Sequence, residues 1–351
     1  MTTGGSLEAV SERLDVATAT TIAGSAVAER EPGFWSGYWK SLKPLAVEEP
    51  VDVWIHRPLA YLLAKALYPT PISPNMVTLI SIVFGVLGGV CFFGSFPHHM
   101  LFGGLAVFTS AVFDCADGQL ARMRGTSSAL GRMLDGMADL VVSVVAVGGA
   151  IWVIWTKFHD PTWLGLIALA LCVATAVTGS FHTGMYDQYK NVYLRLTSPT
   201  YKEGEDYESA LERFRAKTDN SLAVRLVWPV YLFYVGSQTN YVLKFDPHTS
   251  ARLALFPSFH PERAAIYEKH CGGLMRIWRT WFGFGSLVFG IALFSAVDLI
   301  EVYMLLRLVL LNGVYYGYMR PRQRQASQAA FAEMGLRLPD QAGQTQVLAT
   351  D

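Results

Sequence analysis

Six long apolar segments constrain the fold of this chain more than any other feature. Each is close to the roughly 20 residues that a helix needs to cross the hydrocarbon core of a bilayer. They cover residues 75 to 97, 99 to 122, 130 to 156, 162 to 187, 274 to 297 and 299 to 319. Of 351 residues, 52% are hydrophobic and only 16% are charged, and the mean hydropathy is +0.30. The sequence therefore predicts an all-α polytopic integral membrane protein with six transmembrane helices.

The remaining segments divide the chain further. Residues 51 to 67 mix apolar and charged side chains, which predicts an N-terminal amphipathic helix at the membrane interface. We expect residues 1 to 45 to form a disordered or interfacial tail and residues 326 to 351 a C-terminal tail. The membrane domain would cover residues 46 to 325, with a cytoplasmic or interfacial insert at residues 188 to 273.

One apolar stretch of the insert, residues 222 to 243, could itself cross the membrane. A seventh crossing would place the arginines that follow the last span on the opposite side from the other basic connections. We therefore predict an interfacial or re-entrant element there. With six crossings, the positive-inside rule places both termini and the connection between the second and third spans in the cytoplasm, at the inner membrane if the protein is bacterial.

Four aspartates interrupt the second and third apolar segments. Asp114 and Asp117 are three residues apart, and Asp135 and Asp139 are four apart, so each pair lies on one face of a helix. Between the pairs, residues 124 to 128 contain a glycine that can end one helix and hydroxyl side chains that can cap the next. The spacing predicts a helical hairpin that brings the two acidic faces together.

The aspartate array indicates a metal site. Four like charges at close range in a membrane need a cation to compensate them. Carboxylates without His or Cys suit a hard divalent ion, and Mg²⁺ and Mn²⁺ often share their coordination with substrate phosphates. A single Asp-x-x-Asp pair is more often a solvated helix face. The complete array instead predicts that Asp114, Asp117, Asp135 and Asp139 bind Mg²⁺ or Mn²⁺ for phosphoryl chemistry.

The array also resembles the signature of the CDP-alcohol phosphotransferase family, D-x2-D-G-x2-A-R-x8-G-x3-D-x3-D. All eight fixed positions are present: Asp114, Asp117, Gly118, Ala121, Arg122, Gly131, Asp135 and Asp139. The resemblance implies transfer of a substituted phosphoryl group from a CDP-linked donor to a hydroxyl acceptor, with release of CMP, in the synthesis of phospholipids or sphingolipid head groups. It also implies two metal ions, and it makes Asp139 the general base.

Further residues would contact the donor. Arg122 would bind a phosphate or anchor the hairpin. Asn75 and Thr78 match a looser Asn-x-x-Thr feature of the family and could bind the donor's phosphates at a helix N-terminus. Capping of that helix by Asn75 is the alternative. The small residues of the signature would leave room for the cytidine moiety: Gly118, Ala121 and Gly131.

The acceptor site has a weaker signature. His182, Tyr186 and Tyr189 lie close to one helix face near the cytoplasmic end of the fourth span, where we expect the acceptor to bind. A packing role for an isolated intramembrane histidine is the alternative. Three arginines could bind an anionic head group, although we expect them by default to extend toward the interface: Arg276, Arg279 and Arg307.

The identity of the two substrates stays open. The donor could be CDP-diacylglycerol, with inositol phosphate, glycerol phosphate or serine as acceptor. It could instead be CDP-choline or CDP-ethanolamine, with a lipid hydroxyl as acceptor. We expect membrane lipid as a partner, consider a homodimer, and expect no nucleic acid because the net charge is zero. The alternative is an inactive family member that acts as a membrane scaffold or metal transporter, and the intact aspartate spacing argues against it.

Overall fold

The computed structural model describes residues 33 to 126, 129 to 199, 246, 249 and 259 to 336, except for the side chains of residues 129, 130, 132 and 133. Over these residues the regular structure is helical and contains no strand. The predicted all-α fold is confirmed. The predictions for residues 1 to 31 and 222 to 243 lie outside the described residues.

The chain divides into two units, one that ends at Ser41 and one that begins at Leu42. The described part of the first unit is helix α1 (Phe34–Ser41), in which the Ser41 hydroxyl donates to the carbonyl oxygen of Tyr38 at 2.6 Å. Trp35 and Tyr38 make an edge-to-face contact with 6.0 Å between ring centroids. The aromatic composition of α1 is typical of a segment at a bilayer surface, and that location stays a prediction.

The described part of the second unit contains helices α2 to α9. They are α2 (Arg57–Leu67), α3 (Pro74–Phe93), α4 (His99–Arg124), α5 (Ala129–Phe158), α6 (Thr162–Thr197), α7 (Pro261–Trp281), α8 (Phe284–Ala296) and α9 (Ile300–Glu333). A π-helical turn, Asp52–His56, precedes α2. Two π-helical stretches interrupt α9: Leu306–Leu311 and Tyr315–Met319. Helix α2 lies where we predicted an amphipathic helix, and its place at the interface stays a prediction.

Within the described residues, six helical segments are long and apolar enough to cross a membrane. They are α3, α4, residues 134 to 158 of α5, α6, the nearly continuous pair α7 and α8, and α9. This confirms the predicted six-helix membrane protein. Three helices extend ten or more residues beyond the predicted bounds: α6 ends at Thr197 rather than 187, α7 begins at Pro261 rather than 274, and α9 ends at Glu333 rather than 319.

The polar extensions of α6, α7 and α9 continue because they pack on one another. Tyr267, in the extension of α7, is 1% exposed, and its ring centroid lies 6.0 Å from that of Tyr193 on α6 and 6.2 Å from that of Phe331 on α9. The buried carboxylate of Asp246, within the insert, accepts hydrogen bonds from the hydroxyls of Tyr189 at 3.0 Å and Ser327 at 3.2 Å. The first residues of the predicted C-terminal tail therefore belong to α9 and contribute to a core.

Close packing of small residues brings α3 against α4 and α5. A Cβ atom added at Gly89 of α3 would collide with Val145 of α5. The hydroxyl of Ser81 donates to the carbonyl oxygen of Ser110 on α4 at 3.0 Å, and the Ser110 hydroxyl donates to the carbonyl oxygen of Ser81 at 2.8 Å. Small residues and hydroxyl pairs of this kind are typical of helix contacts within membranes. Helix α3 thus supports both helices that carry the aspartates.

The turn between α4 and α5 begins with the predicted glycine. Gly125 has a φ of 65°, which glycine adopts readily, and its N–H donates to the carbonyl oxygens of Ala121 and Arg122. Arg124, at the end of α4, donates to four carbonyl oxygens at or beyond the end of α2: Ile72 at 2.5 Å, Leu67 at 2.7 Å, Thr70 at 2.8 Å and Tyr68 at 3.0 Å. The guanidinium therefore fixes the hairpin against the end of α2 and the segment that follows it.

A carboxylate caps the start of α8. Glu49 accepts hydrogen bonds from the N–H of Gly285 at 3.0 Å and from the N–H and hydroxyl of Ser286 at 2.8 and 3.1 Å. A Cβ atom at Gly283 would collide with this carboxylate, so glycine there lets Glu49 approach the helix end. Burial and the nearby charge of Asp52 raise the pKa of Glu49 to about 8, although the backbone hydrogen bonds oppose the shift. The segment before α2 is thereby anchored to α8.

Candidate functional site

Three of the four predicted metal ligands lie together. Asp114 and Asp117 are one turn apart on α4, and Asp135 is on α5. One carboxylate oxygen of each lies within 4.8 Å of the oxygens of the other two. Asp117 is buried, and Asp114 is half-buried. The short turn between α4 and α5 thus brings carboxylates from both helices to one point, which we call the carboxylate cluster.

Asp139 lies beside this cluster. It follows Asp135 by one turn on α5 and does not belong to the group of three. Its side chain is half-buried, and it is close enough to Asp135 and Asp187 for their charges to act on it. Asp139 is therefore adjacent to the three carboxylates, close enough to Asp114 for their charges to interact, although it is not one of the three that lie within 4.8 Å of one another. Its role as base or fourth ligand stays a prediction.

Thr78 orients the buried carboxylate of the cluster. Its hydroxyl on α3 donates to Oδ2 of Asp117, and the two residues are 4% and 6% exposed. The same hydroxyl lies 3.2 Å from the carbonyl oxygen of Pro74. We expected Thr78 to bind the donor's phosphates, and that function stays a prediction. Its contact in the structure is with a predicted metal ligand.

Ser73, rather than Asn75, caps the start of α3. Ser73 has an extended backbone, and its hydroxyl accepts a hydrogen bond from the N–H of Met76 at 3.3 Å. The alternative of capping by Asn75 is therefore wrong, because Pro74 already begins the helix and Asn75 lies inside its first turn. Asn75 is half-buried one turn before Thr78, and its binding of the donor stays a prediction.

The other signature residues line the hairpin. Gly118, Ala121, Arg122 and Gly131 are all half-buried. A Cβ atom added at Gly118 would lie 3.3 Å from Nη1 of Arg122. Gly118 therefore accommodates the guanidinium one turn further along α4, and part of the space that we predicted for cytidine contains Arg122. The predicted contacts of Ala121 and Gly131 with cytidine stay predictions.

Arg57, which sequence analysis did not assign to the site, places a positive charge near the cluster. It is buried on α2 and forms an ion pair with Glu48, with 3.0 Å between Nε and Oε2. Burial alone would lower the pKa of Arg57, but the nearby Cys115 thiol and several carboxylates, Asp114 among them, raise it. The guanidinium therefore stays charged beside Asp114.

Lys43 brings a second cation from the segment before α2. Its backbone N–H donates to Oε1 of Glu48 at 2.9 Å, and its side chain is close enough to Asp135 to feel that charge. Desolvation by the protein atoms around the ammonium group, followed by the charges of Arg57 and Lys190, lowers the pKa of Lys43. The site thus combines carboxylates with basic side chains from outside the signature.

Two of the three residues predicted to form the acceptor site are engaged in contacts within the protein. The hydroxyl of Tyr186 donates to the carbonyl oxygen of Val47 at 2.6 Å. The hydroxyl of Tyr189 donates to the carboxylate of Asp246 at 3.0 Å. His182 is 1% exposed and lies among aromatic rings. Tyr186 and Tyr189 therefore support the surroundings of the site through their hydroxyls.

The three arginines predicted to extend toward the interface differ in their exposure and their hydrogen bonds. Arg276 is exposed, as that prediction requires. Arg279 donates to the carbonyl oxygens of Leu45 and Glu48, the latter at 3.1 Å. Arg307 is only 4% exposed and lies within α9. The default expectation is therefore wrong for Arg307, and for Arg279 it stays a prediction.

The carboxylate cluster fits a hard divalent cation. Its three ligands are all oxygen donors, and no His or Cys joins them in the described part of the chain. Carboxylates this close repel one another, so a cation between them is favourable. The hydrogen bond from Thr78 orients Asp117, as partners of metal ligands commonly do. The donor set and its support suit Mg²⁺ or Mn²⁺.

Comparison with known proteins identifies the region that contains the cluster. Residues 71 to 192 match the family model described as CDP-alcohol phosphatidyltransferase, which confirms the family recognised from the aspartate array. The phosphatidylinositol phosphate synthase of Mycobacteroides abscessus is 30% identical over 119 residues, which are 34% of this chain and 52% of that protein. The protein of the same name from Mycobacterium marinum is 31% identical over 120 residues, 34% of this chain and 49% of that protein. The chain thus spans about half the length of these relatives.

Proposed function

We propose that this chain, which carries a CDP-alcohol phosphatidyltransferase domain at residues 71 to 192, transfers a phosphatidyl group from CDP-diacylglycerol to a hydroxyl of a phosphorylated alcohol and releases CMP. The observation that carries the proposal is the carboxylate cluster within this domain. The name of the relatives favours an inositol phosphate as the acceptor. The product would be a membrane phospholipid, in keeping with the six apolar helical segments.

The carboxylate cluster would hold Mg²⁺ or Mn²⁺, as two ions. Bound ions supply charge neutralisation at the pyrophosphate and at the departing CMP. The chain itself contributes the positions of the ligands: the turn after α4 sets the spacing between Asp117 and Asp135, and Thr78 orients Asp117. Burial of Asp117 would limit the access of water to that side of the cluster.

Asp139 would accept the proton of the acceptor hydroxyl. It lies one turn beyond Asp135, so an acceptor bound beside it would be close to a donor held at the cluster. A carboxylate outside the group of three can take up a proton without giving up an ion ligand. The acceptor oxygen would then form a bond to the phosphorus atom of the phosphatidyl group as the bond to CMP breaks.

The basic side chains near the cluster support an anionic acceptor. Lys43 is close enough to Asp135 for their opposite charges to interact. Lys190 forms an ion pair with Asp187 at 2.5 Å, and the charge of Asp187 in turn reaches Asp139. Ammonium groups around the base would bind the phosphate of an acceptor such as inositol phosphate. A neutral lipid hydroxyl offers them no anion, so the version with CDP-choline or CDP-ethanolamine has less support.

The test is a transfer assay with purified protein. Radiolabelled CDP-diacylglycerol is incubated separately with inositol phosphate, glycerol phosphate and serine, and the lipids are separated by chromatography. We expect a new phospholipid and an equal amount of CMP with inositol phosphate. A folded protein that makes no product with any acceptor or with the alternative donors would favour the inactive scaffold or metal transporter.

Two variants test the division of roles within the site. Asp139→Asn should lower transfer by a factor on the order of 10² or more while donor binding stays largely intact. Asp117→Asn removes a ligand of the cluster and should weaken both donor binding and transfer. Normal turnover in Asp139→Asn, or an equal loss of donor binding in both variants, would contradict the assignment of Asp139 as the base.

A further inference from the structure

The segment before α2, residues 43 to 49, is tied to three helices that are distant from it in sequence. The carbonyl oxygen of Val47 accepts a hydrogen bond from the hydroxyl of Tyr186 on α6 at 2.6 Å. Arg279 on α7 donates to two carbonyl oxygens of the segment. The carboxylate of Glu49 accepts hydrogen bonds from the start of α8. The backbone of this segment is therefore held from several sides.

Glu48 uses this fixed position to hold Arg57. Its side chain is 4% exposed, and Oε1 accepts a hydrogen bond from the backbone N–H of Lys43 at 2.9 Å. Its other oxygen, Oε2, lies 3.0 Å from Nε of Arg57. A buried carboxylate needs a compensating cation, and Arg57 supplies one. The ion pair therefore fixes the guanidinium against a backbone that is itself anchored.

Contacts at both ends align α2 with α4. At the start, the ring of His56 lies 5.4 Å from that of Phe108 on α4, measured between centroids. At the other end, Arg124 of α4 donates to the carbonyl oxygen of the last residue of α2 at 2.7 Å. Buried alanines pack between the two helices. The helices thus run in the same direction, and Asp114 lies on α4 between the two contacts. Arg57 directly follows His56 and begins α2 on this side.

The guanidinium of Arg57 has donors that its ion pair does not use. Arg57 is 7% exposed, and the contact with Glu48 involves Nε and neither Nη atom. Nε is buried without a well-aligned hydrogen bond in the described part of the chain. The charge of Asp114 is close enough to act on Arg57, in agreement with the alignment of α2 and α4. The outer edge of the fork thus remains for another acceptor near the carboxylate cluster.

A phosphate is the acceptor that best suits this edge. The two Nη atoms of a guanidinium lie in one plane and match two oxygens of a phosphate group. The carboxylate of Asp114 is assigned above to an ion, so it is less available to satisfy the fork. A donor with a pyrophosphate brings several phosphate oxygens to the ion site.

We propose that Arg57 binds a phosphate oxygen of the CDP-linked donor and that Glu48 is the positioning residue that holds the guanidinium for this contact. The inference rests on the function proposed above, and it adds two residues that lie outside the family domain at residues 71 to 192. A fixed guanidinium at this place would stabilise negative charge on the pyrophosphate as CMP departs. Glu48 acts only through Arg57.

Binding of CDP to the purified protein, measured by calorimetry in saturating Mg²⁺, tests the phosphate contact without turnover. Cytidine, which lacks phosphates, is the control ligand, and the wild-type protein should bind CDP more tightly. Arg57→Met should weaken CDP binding about tenfold to a hundredfold, because it removes charge-assisted hydrogen bonds. Arg322→Met, at an exposed arginine of α9, is the matched control and should bind CDP as the wild-type protein does.

A double variant tests whether Glu48 acts through Arg57. Glu48→Gln keeps an oxygen for the N–H of Lys43 but removes the charge opposite Arg57, and it should weaken CDP binding about threefold to tenfold. Combined with Arg57→Met, it should cause no further loss, because the residue that it positions is already gone. The double variant also leaves no unpaired buried charge, which keeps the test usable if Arg57→Met folds poorly. Glu333→Gln, at an exposed ion pair with Lys269, is the control for this change.

The transfer assay adds a second readout. In Glu48→Gln the KM for CDP-diacylglycerol should rise about threefold to tenfold, while the KM for inositol phosphate stays at the wild-type value. A general loss of structure would not separate the two substrates in this way. The contact would be overturned if the wild-type protein bound CDP no better than cytidine, or if Arg57→Met and the double variant bound CDP as the wild-type protein does.

The role of Glu48 would be overturned if its loss of affinity added in full to that of Arg57→Met. The proposed transfer reaction can fail separately from this inference. A wild-type protein that forms no lipid, but whose variants show the expected CDP affinities, would count against the transfer reaction and still support the phosphate contact of Arg57.

Discussion

Replacing Thr78 with valine removes a hydroxyl that supports the carboxylate cluster and leaves a side chain of similar size. A hydrogen bond to a charged group contributes about 1.5 to 3 kcal/mol, or about tenfold to a hundredfold in a binding constant. Asp117 is only 6% exposed, so water cannot readily replace the lost donor. We therefore expect the half-saturating Mg²⁺ concentration for transfer to rise by about tenfold to a hundredfold in Thr78→Val.

The assay for this prediction is CMP release measured over a series of Mg²⁺ concentrations. Thr78→Ser keeps the hydroxyl and should retain most of the metal affinity. Thr109→Val is the matched control on α4, where the native hydroxyl donates to the carbonyl oxygen of Leu105 at 2.8 Å, and it should leave the Mg²⁺ requirement unchanged. An unchanged Mg²⁺ requirement in Thr78→Val would refute the reasoning. A higher KM for the CDP donor at saturating Mg²⁺ would instead support the phosphate-binding role first predicted.

Three further predictions concern stability and topology. Arg124→Met should lower the free energy of unfolding by about 2 to 4 kcal/mol, because the four hydrogen bonds from its guanidinium are lost. A loss below about 0.5 kcal/mol in denaturation experiments would contradict this. The pKa of Glu49 is raised from 4.5 to about 8, so the folded protein retains a proton that the unfolded chain releases. Its contribution to stability should therefore fall as pH rises from about 5 to 8, by up to about 1.4 kcal/mol per unit. Thermal melts of Glu49→Gln should lack that slope, and an undiminished slope would count against the assignment. A cysteine introduced at Gly125 should react with an impermeant reagent from the cytoplasmic side, and reaction from the opposite side would reverse the predicted topology.

The centre of the candidate site could be predicted because its geometry is local in sequence. Asp114 and Asp117 are one helical turn apart, and a short turn that contains Gly125 leads to Asp135. Helical spacing and turn chemistry therefore suffice to bring the three carboxylates together. The six spans could be predicted for a similar reason, since the thickness of a bilayer fixes the length of an apolar helix.

The features that sequence analysis missed depend on contacts between distant segments. Lys43 and Arg57 meet the charges of the aspartates only after the segment before α3 packs against the hairpin. The hydroxyl of Thr78 reaches Asp117 from another helix. Hydropathy marks where a helix leaves the bilayer, whereas the polar end of α7 continues because Tyr267 packs against Tyr193 of α6 and Phe331 of α9. Arg307 is 4% exposed and lies in a π-helical stretch, and residue spacing reveals neither feature.

The central claim is that the carboxylate cluster binds divalent ions that support transfer from a CDP-linked donor. Its most direct test is CMP release from CDP-diacylglycerol by the purified protein with inositol phosphate, first in excess EDTA and then after addition of Mg²⁺ or Mn²⁺. We predict that release stops in EDTA and returns when either ion is added in excess, because the cluster offers only carboxylate ligands in the described part of the chain. Full turnover in excess EDTA would contradict this mechanism.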